Sequence, residues 1–124
     1  MSNNKQKKTL VLGASKNPQR YSNMAINRLR KHGHPVVAIG RKESVVADVP
    51  IGVSKENFQE VDTVTLYLSA DNQKEYYDYI LSLHPKRLIF NPGAENDELY
   101  ELAEQKGIKP VEACTLVMLS TGQF

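Results

Sequence analysis

Three short segments hold residues that could act together on a ligand. The first is Gly13-Ala14-Ser15-Lys16-Asn17-Pro18-Gln19-Arg20. A glycine after an apolar run lets the chain turn sharply and leaves backbone N–H groups at the start of the helix that follows. Such a helix start attracts anions. Ser15 adds a hydroxyl, and Arg20 adds a charge suited to phosphate. The second segment is Gly40-Arg41-Lys42, and the third is Asn91-Pro92-Gly93-Ala94-Glu95. Glu95 is a candidate acid or base, or more simply a partner for the dipole of a following helix. Cys114 is the single cysteine, so it cannot form an internal disulfide. It reads as a small buried hydrophobe or as a thiol on the ligand edge.

The first segment lacks Gly-x-Gly-x-x-Gly, because those positions read Gly13, Ser15 and Pro18. It also lacks the Gly-Lys-Ser/Thr of a triphosphatase loop. Pro18 and the loop's length predict a wider pocket than a dinucleotide fingerprint makes. The second segment sharpens the ligand class. An NAD site wants Asp or Glu there, to bond the ribose hydroxyls. Arg41 and Lys42 suit a ribose that carries an extra phosphate, as in NADP or coenzyme A. The histidines fit turns. His34 lies between Gly33 and Pro35, and His84 precedes Pro85. His32-x-His34 has no third ligand close in sequence, and no metal site is expected. Tyr76, Tyr77 and Tyr79 read as packing residues.

These segments need elements to position them. Thr9-Leu10-Val11-Leu12 is a continuous apolar run, predicting a strand buried on both faces of a parallel sheet. Further strands are predicted at Val36–Ile39, Thr63–Leu68, Arg87–Phe90 and Lys109–Ala113. Helices are predicted at about 22–31, with Tyr21, Ala25 and Leu29 toward the sheet, at 72–84 and at 97–106. Ser22 and Asn23 are good N-cap types for the first, and Gly33 and Gly107 stop the first and third. Residues 41–55 read as loop plus a short edge element. The apolar group Leu116-Val117-Met118-Leu119 reads as a final strand or a docking helix. Strands alternating with helices give an α/β fold with a mostly parallel sheet. In such a sheet ligands sit beyond the carboxyl ends of the strands, where the three segments fall.

Length and composition bound the rest. A chain of 124 residues is one domain, too short for a nucleotide domain plus a substrate domain. The net charge of +2 gives no reason to expect nucleic acid as a partner. No segment approaches the roughly 18 apolar residues of a membrane span. Residues 1–8 read as a flexible basic tail, leaving 9–124 as the domain. A cytoplasmic protein is the simplest expectation.

The pattern Gly13-Ala14-Ser15-x-x-Pro18-x-Arg20-Tyr21-Ser22-Asn23, then Gly33-His34-x-Val36, then Asn91-Pro92-Gly93-x-Glu95-Asn96, resembles the small single-domain CoA-binding proteins. These are similar to the N-terminal domain of the succinyl-CoA synthetase alpha subunit. The resemblance runs from about Lys8 to Cys114. It implies a Rossmann-like three-layer sandwich with five or six strands, holding coenzyme A or an acyl-CoA across the strand ends. By position, Gly13, Ala14, Ser15 and Arg20 would take the pyrophosphate side, next to Tyr21, Ser22 and Asn23. Gly40, Arg41 and Lys42 would take the adenosine and its phosphate. Leu68, Asn91, Pro92 and Gly93 would line the pantetheine path, with Glu95 and Cys114 nearby. The synthetase subunit has a second domain with a phosphorylated histidine, for which this length leaves no room, so ligase chemistry is not expected. The leading expectation is a stand-alone binder with no catalytic step. The alternatives are a small NADP-dependent reductase, for which Tyr67 and Glu95 are the only proton donors in view, and a nucleotide-fold interaction domain without ligand. The apolar tail leaves room for a homodimer or a partner enzyme.

Overall fold

Thr9–Ala14 forms the central strand β1, and Leu10, Val11 and Leu12 are fully buried there. The computed structural model describes residues 6–124. The other strands are β2 (Val36–Gly40), β3 (Ser44–Val46), β4 (Val49–Gly52), β5 (Thr63–Leu66), β6 (Arg87–Phe90) and β7 (Lys109–Glu112). They make one sheet in the order β3-β4-β2-β1-β5-β6-β7. All are parallel except β3, which runs antiparallel to β4 at the edge. The count is seven, against the expected five or six. The difference lies in 41–55, where β3 and β4 form a hairpin and β4 adds a parallel strand beside β2.

The order reverses at β1. From β1 the chain steps outward to β2 and β4, then crosses to β5 and continues to β6 and β7. The strand ends are level. Leu12 pairs with Ile39 and Leu66, Leu66 pairs with Phe90, and Phe90 pairs with Glu112. The loops that begin at Gly13, Gly40, Tyr67 and Asn91 therefore leave one edge of the sheet side by side.

Side chains of a strand alternate between faces, and each face buries its own core. Leu10, Leu12, Val64, Leu66 and Phe90 pack in one cluster with Ile80 and Leu99. Val11, Ala38, Ile51 and Ile89 pack in the other with Ile26, Leu29 and Leu119. The helices that supply these residues are α1 (Tyr21–Lys31), α3 (Tyr77–Ser82), α4 (Asp97–Gln105) and α5 (Thr115–Ser120), with a short α2 (Ala70–Gln73) before α3. The result is the three-layer, Rossmann-like arrangement.

Several local expectations need correction. Tyr21 does not face the sheet but is 69% exposed, at the first position of α1. Ser22 and Asn23 do not cap α1; both are buried inside its first turn, and the cap residue is Arg20, whose side chain makes no capping bond. The strand expected to reach Leu68 ends at Leu66. The expected single helix 72–84 is broken by a 3-10 turn at Lys74–Tyr76. The apolar tail is helix α5, packed on α1. Of the expected tail, residues 1–5 lie outside the described residues. Lys7 and Lys8 are tied to the body: the Lys7 N–H donates to His34 Nδ1 at 3.0 Å, and Lys8 Nζ donates to the Gln59 carbonyl at 2.7 Å.

Candidate functional site

A cleft of about 720 Å³ opens at the carboxyl edge over β1, where the strand order reverses. Its walls are the loops after β1, β2, β5 and β6 and the start of α1. Gly13 makes the turn at the mouth of β1, with φ +95°. A Cβ there would stand 2.8 Å from the Tyr67 carbonyl oxygen, so the β1 loop presses on the β5 loop only because Gly13 has no side chain. Gly40 serves β2 likewise, since its Cβ would meet the Ala14 carbonyl at 2.3 Å. Both glycines line the cleft, yet their first task is to let neighbouring strand ends close up.

The loop between Gly13 and α1 braces itself. Ser15 Oγ accepts from the Asn17 N–H at 3.1 Å, and Asn17 Oδ1 accepts from the Gln19 N–H at 3.0 Å. Asn23 Nδ2 donates back to the Ser15 carbonyl at 3.0 Å. Asn23 is therefore a strut under the loop, and it does not line the cleft. Gly13, Ala14, Ser15, Arg20, Tyr21 and Ser22 do.

Arg41 and Lys42 project from the β2 end into the same cleft, as expected. Lys16 joins them. The cleft thus gathers Lys16, Arg20, Arg41 and Lys42 against the single carboxylate Glu75. All four cations are exposed, and none makes an ion pair with another described residue. Four cations against one carboxylate leave the cleft positive, which suits an anion of several charges.

The far half of the cleft, at the β5 and β6 ends, is uncharged: Tyr67, Leu68, Ser69, Pro92, Gly93 and Ala94. Here the structure separates residues that the sequence put together. Leu68, Pro92 and Gly93 line the cleft. Asn91 does not. It is buried, its Nδ2 donates to Thr65 Oγ1 (2.7 Å) and the Leu66 carbonyl (2.9 Å), and its Oδ1 accepts from the Thr115 N–H (2.9 Å). Its amide is spent on joining β5, β6 and α5. Glu95 is exposed outside the cleft and accepts from the Gly93 N–H at 2.9 Å, closing the turn. Cys114 is half-buried at the cap of α5 and also lies outside the cleft. Of the residues expected along a pantetheine path, Leu68, Pro92 and Gly93 line the cleft and Asn91 does not; Glu95 and Cys114, expected nearby, also lie outside its lining.

The sequence reading missed others. Tyr76, read as packing, lines the cleft, and burial raises its phenol above the usual range. Its place was readable, because the first turns of the helix after β5 must rise at the same edge. Gln73 carried no such signal. It is fully buried, and its Nε2 donates to the carbonyls of Leu68 and Ala94, both at 2.8 Å, so it clips the β5 loop to the β6 loop. Asn96 Nδ2 donates to Gln73 Oε1 at 2.9 Å and completes the clip. The Tyr67 hydroxyl is enclosed beside Thr65 and Thr115, and burial pushes it up to about 12. A phenol so hard to ionise, turned into the protein, is poorly placed to give a proton to a ligand. His32 and His34 have separate partners, the Arg28 carbonyl and the Lys7 N–H. No helix among the described residues is long and apolar enough to cross a membrane.

The family model for a CoA binding domain matches residues 7–120. A crystal structure of an uncharacterized protein is 51% identical, with a TM-score of 0.94, over 97% of this chain and 99% of that one. A hypothetical protein from Pyrococcus horikoshii OT3 is 23% identical, with a TM-score of 0.84, over 94% of this chain and 84% of that one. The dinucleotide-forming acetyl-coenzyme A synthetase 1 of Ca. Korarchaeum cryptofilum, solved with phosphate and ADP, shares the fold at 18% identity and a TM-score of 0.71, over 86% of this chain and 25% of that one. No curated protein matched the sequence. With nearly its whole length matched, the chain belongs to the CoA binding domain family.

Proposed function

We propose that this protein binds coenzyme A or an acyl-CoA in the cleft over β1 and carries out no catalytic step of its own. The observation that carries the reading is the cluster of Lys16, Arg20, Arg41 and Lys42 at one end of a cleft whose other end is uncharged. Coenzyme A has that polarity: a pyrophosphate and a ribose phosphate at one end, a neutral pantetheine arm at the other. The loop from Gly13 to Arg20 takes the pyrophosphate, with the Ser15 hydroxyl and the Arg20 guanidinium as donors. Arg41 and Lys42 take the ribose phosphate. The arm crosses the β1 end toward Leu68 and Pro92. Family membership supports the choice of ligand.

Titration calorimetry with CoA, dephospho-CoA, NADP and NAD tests the reading. CoA binds, dephospho-CoA binds more weakly, and NAD binds least. NADP outcompeting CoA transfers the site to a reductase. Absence of heat with all four overturns ligand binding altogether.

A further inference from the structure

The uncharged end of the cleft is sealed beneath. Gln73, fully buried, bridges the Leu68 and Ala94 carbonyls and so closes the gap between the β5 and β6 loops. Asn91, also buried, stitches β5 and β6 to the start of α5. Tyr67 lines this part of the cleft, with its hydroxyl enclosed beside Thr65 and Thr115. Above this floor the rim is open, and Ser69, Pro92 and Gly93 are exposed. An arm laid from the cations across β1 meets Tyr67, Leu68 and Ala94, whose loops the buried amides brace from behind, and solvent above. To admit an acyl chain between the β5 and β6 loops, the protein would have to break the Gln73 bonds and leave two carbonyls unpaired, a cost that a flexible apolar chain does not offset.

We infer that the site grips the nucleotide and arm of a CoA thioester and leaves the acyl group outside the protein. This rests on the proposed CoA reading. The ligand class is then CoA thioesters regardless of acyl length, and the bound thioester stays open to attack by a second protein.

The test compares CoA, acetyl-CoA and octanoyl-CoA by calorimetry on the full chain. A buried methylene strengthens binding about fourfold, so burying the six further methylenes of octanoyl would tighten it roughly a thousandfold or more. We expect the three affinities to agree within about fifteenfold, the room that two or fewer buried methylenes would give. A larger spread, with CoA itself binding, overturns the inference and leaves the CoA reading intact. No binding of CoA overturns both. A second measurement reads the thiol directly: in Cys114→Ser protein saturated with CoA, a thiol reagent should react with the CoA thiol nearly as fast as with free CoA. Strong protection of that thiol overturns the inference.

Discussion

Arg41 and Lys42 occupy the place where an NAD site would put a carboxylate, and the structure sets both in the cleft with no ion pair or side-chain hydrogen bond to another described residue. Their task can be isolated chemically. Arg41→Ala with Lys42→Ala should weaken CoA by about 1–3 kcal/mol, as for lost hydrogen bonds to a charged group, while dephospho-CoA hardly changes. Calorimetry on both ligands decides it, and equal losses would put the extra phosphate elsewhere. Gly13 works differently. With Tyr67's carbonyl 2.8 Å from any Cβ and φ at +95°, Gly13→Val must push the β1 and β5 loops apart. Its melting temperature should fall along with its affinity, and unchanged melting would show that the loop can yield. Among single residues, the exposed cations and turn glycines were legible because their types are unusual at strand ends. Asn91 misled for the same reason: a polar residue beside Pro-Gly reads as surface, whereas here three hydrogen bonds allow it to be buried. Nothing in sequence distinguishes an amide that meets a ligand from one that meets backbone.

At the level of elements, the long apolar strands announced themselves and the short ones did not. β1, β2, β5 and β6 each carry a run that only a strand buried on both faces needs. β3 and β4 hold three and four residues, one of them Pro50, and their pairing depends on Ala47 adopting φ +54° in the turn between them. An alanine gives no warning of a left-handed turn. The 3-10 break after α2 was equally silent, since no glycine or proline lies between 70 and 84. The elements that frame the cleft are held by the two buried amides, and this gives a prediction. Gln73→Leu keeps the volume but leaves the Leu68 and Ala94 carbonyls without their donor. It should cost about 1–3 kcal/mol of stability for each unsatisfied group, in denaturant unfolding. Wild-type stability in Gln73→Leu would mean the clip contributes little, and that the floor of the cleft can open.

Over the whole molecule, the edge away from the cleft has its own coupling. His34, in the turn before β2, accepts the Lys7 N–H through Nδ1 and packs tilted against Phe124, ring centres 5.0 Å apart. The Arg87 guanidinium lies 4.4 Å from the same phenyl ring. Partial burial lowers the His34 pKa, and Lys7, His32 and Arg87 lower it further, with Asp62 opposing. The unfolded chain therefore takes up a proton at this imidazole before the folded chain does. His34 contributes stability that is fully present above the unfolded value of about 6.5 and is lost as pH falls below it toward the folded value. Unfolding free energy should thus decline as pH falls below about 6.5, above the range where ordinary carboxylates titrate. His34→Gln should flatten that limb, since glutamine can still accept from Lys7 but binds no proton. CoA affinity of the same variant, measured at pH 7.5, should match the wild type, because the cleft opens at the other end of every parallel strand. An acid limb as steep in His34→Gln as in the wild type would assign the pH dependence to another group.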